Sequence, residues 1–393
     1  MIRSSRAQSR DPETPVSTSL DTNGRLGPML LDRRQFVAAG SAALLLPGCA
    51  TVPTPTAAPC TPLPPVRVDP ARIIRTMAAL RPYRASGFVV RREALGDKAL
   101  IHNYGHGGAG ITLSWGSSRL ATNLGLPGHS GPVAVIGAGV MGLSTARLVQ
   151  QAGLPVTIYA RELPPNTTSN VAGGQISPFG HFRDSAVTPE WRQQFRSAMD
   201  YSWRRFQIMV GDDYGVRWLP TFDESRGRAR RSDEMDPYYP NARPVAPAEH
   251  PFPLDDVVSF HTMYVETGRY LDRLMRDFRS AGGRIEQRGF ESTAEFPGLP
   301  ESLLFNCTGL GSRALFGDEE LTPVRGQLAV LAPQPEVQYA ASGEWGYMFP
   351  RPDGILLGGT FERGVWDTSP DPAAIARIVG NHRRFFSSFR CTA

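Results

Sequence analysis

The clearest hydrophobic pattern in the chain begins at Pro132-Val133-Ala134-Val135-Ile136, a continuous apolar, β-branched run of the kind buried on both faces of a parallel sheet. Gly137-Ala138-Gly139-Val140-Met141-Gly142 follows directly. Leu143, Ala146, Leu148 and Val149 then predict a helix that ends near Gly153, and Pro155-Val156-Thr157-Ile158-Tyr159 predicts a second buried strand. The pattern upstream is different. Residues 1–30 are polar and aperiodic, as in a disordered segment. Leu31-Asp32-Arg33-Arg34-Gln35-Phe36 then precedes a short apolar stretch, residues 37–46, and a Pro/Thr/Ala linker over residues 51–65. An arginine pair before an apolar stretch too short to span a bilayer predicts a twin-arginine export signal, with Met29 a plausible true start. Residues 221–253 form a long polar, Pro-rich and Arg-rich connection, either an active-site lid or a surface loop.

Chemistry enters at the glycines. Gly137 permits a tight turn, Gly139 lets backbone approach a pyrophosphate, and Gly142 allows helix and strand to pack closely. The helix N-terminus, including Val140 and Met141, presents N–H donors and a positive dipole to phosphate. Because the glycines sit inside a strand–turn–helix–strand unit, they predict a Rossmann-like dinucleotide-binding domain. The acid that would bond a ribose is expected after the second strand, where Arg161 stands with Glu162 one step later.

Charge removes one class of partner. Lys and Arg number 42 against 37 Asp and Glu, a formal net charge of +5, and the excess is spread along the chain. No basic block with interleaved aromatics occurs, so no nucleic-acid partner is expected. No His/Cys/Asp spacing resembles a metal site. The four cysteines stand at 49, 60, 307 and 391. Cys307 lies in an apolar strand–turn and reads as a buried thiol. Leu46-Pro47-Gly48-Cys49 resembles a lipoprotein box, so Cys49 is either a lipid anchor or removed by cleavage.

Further motifs identify a family resemblance. Tyr159 to Pro164, then Thr167-Thr168-Ser169-Asn170-Val171-Ala172-Gly173-Gly174, resembles the second FAD-binding stretch of the D-amino-acid oxidase family. Phe305-Asn306-Cys307-Thr308-Gly309-Leu310-Gly311-Ser312 resembles its strand and turn that close over the dinucleotide. Pro323 to Gln327, and Tyr347-Met348-Phe349-Pro350-Arg351 with Leu357-Gly358-Gly359-Thr360, resemble its substrate-side strands. Ile101-His102-Asn103-Tyr104-Gly105-His106-Gly107-Gly108-Ala109-Gly110-Ile111-Thr112 resembles the family's C-terminal signature, and Arg81-Pro82-Tyr83-Arg84 precedes it as a similar element does there. In ordinary members these two blocks close the chain. Here they precede the glycine motif, so the resemblance implies a circular permutation joining about Phe389 to about Pro70.

The resemblance implies an α/β fold, a Rossmann-like FAD-binding domain with a parallel sheet plus a mixed or antiparallel substrate domain, circularly permuted. The expected organisation is a leader over 1–50, a linker over 51–70, the displaced segment over 71–130, and interleaved FAD and substrate domains over 131–393. FAD is the implied cofactor. Its implied contacts are Gly137, Gly139, Val140, Met141, Gly142, Arg161, Glu162, Thr167, Thr168, Val171, Ala172, Gly173 and Gly174, and, from the displaced block, Gly107, Gly108, Ala109, Gly110, Ile111 and Thr112. Backbone N–H groups of the displaced glycines and the Thr112 hydroxyl are expected to face the flavin. His102 and His106 read as structural. The implied reaction oxidises the CH–NH bond of a D-amino acid or related amine to an imine, with O2 reduced to H2O2. The alternatives are an envelope dehydrogenase serving a quinone or carrier, and a flavin-binding protein without catalysis. The family's carboxylate-binding Arg is expected near Ala340, where none stands, and its lid tyrosines before Phe260, where Asp255 to Val258 stand. Arg351, Tyr347, Arg81, His261 and Tyr264 are the candidate replacements. Permutation and export together would bring Cys60 and Cys391 together at the cut, where they are either a disulfide or two free cysteines in frayed ends.

Overall fold

The computed structural model describes residues 60–225 and 235–391, together with the backbone of Thr18–Leu20 and Leu26–Pro28. The chain divides into two compact units, Met1–Thr56 and Ala57–Ala393. In the first, Thr18–Leu20 and Leu26–Pro28 pair antiparallel. The twin-arginine segment, residues 37–46 and Cys49 lie outside the described residues.

The second unit opens on a long strand, β1 (Ile73–Tyr83), and a hairpin, β2 (Val89–Leu95) and β3 (Lys98–Tyr104). Helix α1 (Gly110–Gly125) leads through a short turn into β4 (Val133–Ile136), α2 (Val140–Gln151) and β5 (Val156–Ala160), the unit that the hydrophobic pattern predicts. Gly153, at φ 84°, turns the chain out of α2. One turn of helix, α3 (Thr168–Val171), precedes the long helix α4 (Pro189–Gln207), whose start is capped by the Thr188 hydroxyl and Pro189. Strands β6 (Val216–Glu224), β7 (Arg243–Val245) and β8 (Val257–Val265) and helix α5 (Thr267–Ser280) follow. The chain continues through β9 (Arg284–Gln287), β10 (Leu303–Asn306), α6 (Gly311–Phe316), β11 (Thr322–Leu331) and β12 (Ala340–Gly343). It ends with β13 (Gly346–Arg351), β14 (Gly354–Gly358), β15 (Glu362–Arg363) and α7 (Pro372–Ser387).

Two sheets result. The first has six strands in the order β9-β5-β4-β10-β3-β2, parallel throughout except for the edge hairpin β2–β3. Leu100, Ala134, Ile136 and Leu304 pack on one face, and Ile101, Val133, Val135 and Phe305 on the other. Burial of both faces is why these strands read as unbroken apolar runs. Strand β3 precedes β4 in the chain, yet lies beyond β10, pairing Ala99 with Leu303. Helix α1 packs on α2 and α4, and a side chain at Gly116 would collide with the Ala198 backbone.

The second sheet has nine strands in the order β15-β11-β14-β13-β12-β6-β8-β7, with β1 lying along β11. It is antiparallel except for the β12–β6 pair. Its outer face is covered by α7, through Ile375, Ile378, Val379, Phe385 and Phe386. Its inner face carries Leu328, Leu356, Phe349 and Tyr347. Val66 and Val68 join the outer core, and Cys60 is disulfide-bonded to Cys391, with Cα atoms 6.7 Å apart. The described core thus begins and ends at one covalent link. Within residues 221–253 the described residues include the end of β6, to Glu224, and β7; residues 226–234 lie outside the described residues.

Candidate functional site

A cavity of about 2130 Å3 runs from the β4–α2 turn to the inner face of the nine-stranded sheet. A pocket for one small molecule is typically about 300–1,000 Å3, so this one has room for a dinucleotide and a second ligand.

The dinucleotide end is shaped by absent side chains. Gly137 sits at φ 113°, and a Cβ there would lie 2.5 Å from the Cys307 carbonyl oxygen at the end of β10. A Cβ on Gly142 would strike the Gly137 carbonyl, so Gly142 packs the helix onto the turn and does not line the cavity. Gly139 is the N-cap of α2 and brings no capping side chain, and the Val140 N–H donates to Ser169 Oγ at 3.0 Å. Gly137, Gly139, Val140 and Met141 line the wall. Thr167, Thr168, Val171, Ala172, Gly173 and Gly174 line the next stretch. Gly174 is held at φ 89° where its carbonyl accepts from the Val265 N–H of β8. Both Arg161 and Glu162 reach the cavity, and Arg161 pairs with Glu291 at 2.6 Å. Arg288 and the Thr308 to Gly311 turn complete this end. Arg288 lies at a strand end that only tertiary structure brings beside β5.

At the other end stand Gly107, Gly108, Gly110 and Ile111, at the N-terminus of α1. The expected N–H donors are partly committed elsewhere. Gly108 donates to the Gly180 carbonyl at 3.1 Å and Ala109 to the His106 carbonyl at 2.9 Å. Ala109 is buried off the wall. Thr112 is buried too: its hydroxyl donates to the Ser177 carbonyl at 3.0 Å and accepts from the Ser177 N–H. It therefore braces the Gln175 to Ser177 loop instead of facing a ligand. What this end does offer is the uncapped N-terminus of the 16-residue α1. His106 is buried and neutral, its pKa lowered to about 3 by desolvation with a smaller effect of His181. His102 is likewise buried, with Nδ1 3.1 Å from Asn306 Nδ2. Cys307 is a buried thiol whose pKa burial pushes up to about 12.

The five candidate substrate residues separate cleanly. Arg81, on β1, and Tyr347, on β13, both line the cavity and bond each other through their side chains. Arg81 also donates to the Thr360 carbonyl at 3.2 Å and lies 5.6 Å from the centre of the Phe361 ring. Glycines make room for the pair: a Cβ on Gly326 would collide with the guanidinium, and one on Gly358 with the Tyr347 ring. Burial raises the Tyr347 phenol above its ordinary pKa, and Arg81 opposes that rise. The other three candidates are elsewhere. Arg351 is buried behind the wall, bonded to Asp353 at 2.9 Å, the Thr267 hydroxyl and the Ala172 carbonyl. Tyr264 is buried behind Gln175, whose amide donates to the Tyr264 hydroxyl at 2.9 Å. His261 is on the β8 strand but off the cavity wall. Ala340 is buried in the sheet, so the strand before Tyr347 brings no guanidinium there; the arginines that line the cavity are Arg81, from β1, with Arg161, Arg192, Arg243 and Arg288. Residues not foreseen also line this end: Gln175, Ser177, Phe179, Tyr239 and Phe361. They sit in loops or at strand ends whose sequence carries no periodic signal.

A glycine turn at a helix N-terminus, a second helix N-terminus and an Arg–Tyr pair line one cavity, the arrangement of a dinucleotide-binding protein with room for a second ligand. Residues 132–392 match the DAO family model, FAD dependent oxidoreductase, and the chain belongs to that family. It is 34% identical over 261 residues to a D-amino-acid oxidase of Streptomyces coelicolor, covering 64% of this chain and 76% of the relative. It is 32% identical over 251 residues to the human D-aspartate oxidase, covering 61% and 71%. A solved glycine oxidase from Geobacillus kaustophilus shares the fold at a TM-score of 0.51 and 16% identity, covering 67% of this chain and 81% of that one. The cofactor is therefore FAD, and the side-chain-free cradle at Gly137 and Gly139 fits its pyrophosphate. The enzyme acts on an amino acid or amine.

Proposed function

We propose that the chain oxidises the CH–NH bond of a D-amino acid to an imine, which water hydrolyses to a keto acid and ammonia, and that O2 takes up the electrons as H2O2. The observation that carries this reading is the Arg81–Tyr347 pair on the wall of the cavity that both helix N-termini line. A guanidinium with an adjacent phenol is suited to an α-carboxylate, which accepts two donors in one plane. Bound FAD supplies the acceptor for the hydride. The protein's part is to place the substrate α-carbon and exclude water. Arg81 and Tyr347 hold the carboxylate, while Phe349, stacked 4.7 Å from Tyr347, and Phe361 supply apolar wall. No side-chain base is required, because the amine loses its proton before hydride leaves carbon.

The displaced block is read as a circular permutation. The family match starts at residue 132, so β1, β2, β3 and α1 lie outside it, yet they supply a strand to each sheet and the Arg81 side chain. The Cys60–Cys391 link brings the two ends to one place, which favours the join expected between about Phe389 and Pro70. The disulfide also favours an oxidising compartment, in line with twin-arginine export to the periplasm or envelope, with Cys49 as lipid anchor or cleavage site.

One experiment tests the enzymatic reading. Purified holoprotein is mixed anaerobically with D-amino acids, their L-enantiomers and simple amines while the flavin absorption is followed. Bleaching by D-amino acids, with H2O2 formed on readmitting air, supports it. Bleaching without peroxide means a dehydrogenase passing electrons to a quinone or carrier. No bleaching by any donor means a flavin-binding protein without catalysis.

A further inference from the structure

Tyr347 is held from four directions. Its ring stacks on Phe349, crosses the side-chain-free Gly358 and meets the Arg81 guanidinium. The fourth hold comes through the backbone, from the far side of the sheet. His382, on the third turn of α7, is fully buried, and its Nε2 lies 3.0 Å from the Tyr347 carbonyl oxygen. Its Nδ1 lies 2.7 Å from the Ile378 carbonyl one turn back in the same helix. Trp345 meets the imidazole edge-on at 5.0 Å, and a Cβ on Gly346 would sit 2.7 Å from its Cε1. The ring is thus wedged between α7 and the backbone of Trp345, Gly346 and Tyr347. The other buried residues of α7 are apolar: Ala374, Ile375, Ile378, Val379, Phe385 and Phe386.

We propose that His382, with its proton on Nε2, is a positioning residue for the substrate carboxylate: the Nε2–H donates to the Tyr347 carbonyl, ties that strand to α7 and so sets where the Tyr347 phenol stands in the cavity. This rests on the reading that Arg81 and Tyr347 grip a carboxylate. The backbone of Tyr347 has glycine on its N-terminal side, with Gly346 at φ 127°. Strand pairing holds Tyr347 between Ser342 and Gly358, and the His382 ring adds a contact from outside the sheet. A hydrogen bond that acts on a ligand only through a second side chain must show coupling to that side chain and none in its absence.

The test uses the FAD-loaded protein and propionate, a carboxylate with no oxidisable C–N bond. Its dissociation constant is read from the change in the flavin absorption spectrum, for wild type, Tyr347→Phe, His382→Ala, His382→Gln and the Tyr347→Phe/His382→Ala double variant. Propylamine, which lacks the carboxylate, is the control ligand. Tyr347→Phe is expected to weaken propionate about tenfold, and His382→Ala several-fold. His382→Gln, which keeps an N–H donor, should recover part of the loss. The double variant should bind as Tyr347→Phe alone, and propylamine binding should not move. Additive losses in the double variant, or equal weakening of propylamine, overturn the proposal. Propionate binding that Tyr347→Phe leaves unchanged overturns the carboxylate reading and this inference with it. Should His382→Ala fail to hold FAD, His382→Leu, which removes the ring nitrogens and keeps more of the buried volume, carries the same comparison in both backgrounds.

Discussion

His181 offers a quantitative test of how burial governs this fold. Its ring is 1% exposed, packed against Phe182, Trp191 and Phe195, and neither nitrogen makes a well-formed hydrogen bond, the Pro178 carbonyl offering only a poor one. Desolvation lowers its pKa from 6.5 to about 3, and His106 next to it is lowered to about 3 by the same cause. Between pH 6.5 and 3 the unfolded chain therefore binds protons that the native chain refuses. Stability is full above pH 6.5 and falls as the pH drops through that window. Linkage gives a loss of about 2 kcal/mol per histidine at pH 5, about 4 kcal/mol for the pair. His181→Phe keeps an aromatic ring in an aromatic cage and removes one of the two groups. Unfolding by urea, followed by tryptophan fluorescence at pH 8 and pH 5, should show the variant losing about 2 kcal/mol less than wild type across that interval. Comparing the two intervals cancels any packing change that is independent of pH. A variant that loses as much as wild type would refute the assignment of acid sensitivity to this ring. The effect also reaches the cavity. A Cβ on Gly107 would lie 2.9 Å from the His181 Cα, and Gly108 donates to the neighbouring Gly180 carbonyl. Acid should accordingly release flavin from wild type at a higher pH than from His181→Phe, read as the rise in free flavin fluorescence.

Four further outcomes follow from the geometry. Gly137→Ala places a methyl group 2.5 Å from a carbonyl oxygen at φ 113°, so the purified variant should lose the yellow of bound FAD. Arg81→Ala should raise KM for a D-amino acid at least tenfold, with a much smaller effect on an amine lacking the carboxylate. Arg351→Ala should leave that KM unchanged and lower the unfolding midpoint, because it strips a buried charge from Asp353 and Thr267 and touches no ligand. Reduction of Cys60–Cys391, which closes 331 residues of chain, should destabilise by up to about 6 kcal/mol in the chain-entropy account, with little change in kcat. Matched melts with and without reductant read this directly.

Strand pairing between distant segments explains why the partnership of Arg81 with Tyr347 is hard to find by reading along the chain. The search upstream of Tyr347 ends at Ala340, a buried small residue in β12. The guanidinium arrives from β1, more than 250 residues earlier in sequence, because β1 lies antiparallel along β11 and places Arg81 opposite Val324. The same pairing puts a glycine, Gly326, against the guanidinium, and no linear motif announces that fit.

What the sequence determined by itself is local. The β4–α2–β5 unit, its glycine turn and the buried Cys307 were legible because each depends on neighbours within a few residues, through strand and helix periodicity and the backbone freedom of glycine; the Thr167 to Gly174 stretch was legible through the family resemblance. The disulfide partners were legible only through the family order that the displaced block implies. What the tertiary structure alone decided is which side chains converge. It set Arg81 beside Tyr347 and moved Arg351, Tyr264 and His261 off the wall. It also committed Thr112 and the Gly108 amide to the Ser177 and Gly180 carbonyls, and the Ala109 amide to the His106 carbonyl. Those outcomes depend on strand register across the nine-stranded sheet and on hydrogen bonds between segments far apart in the chain, and a one-dimensional pattern carries no information about either.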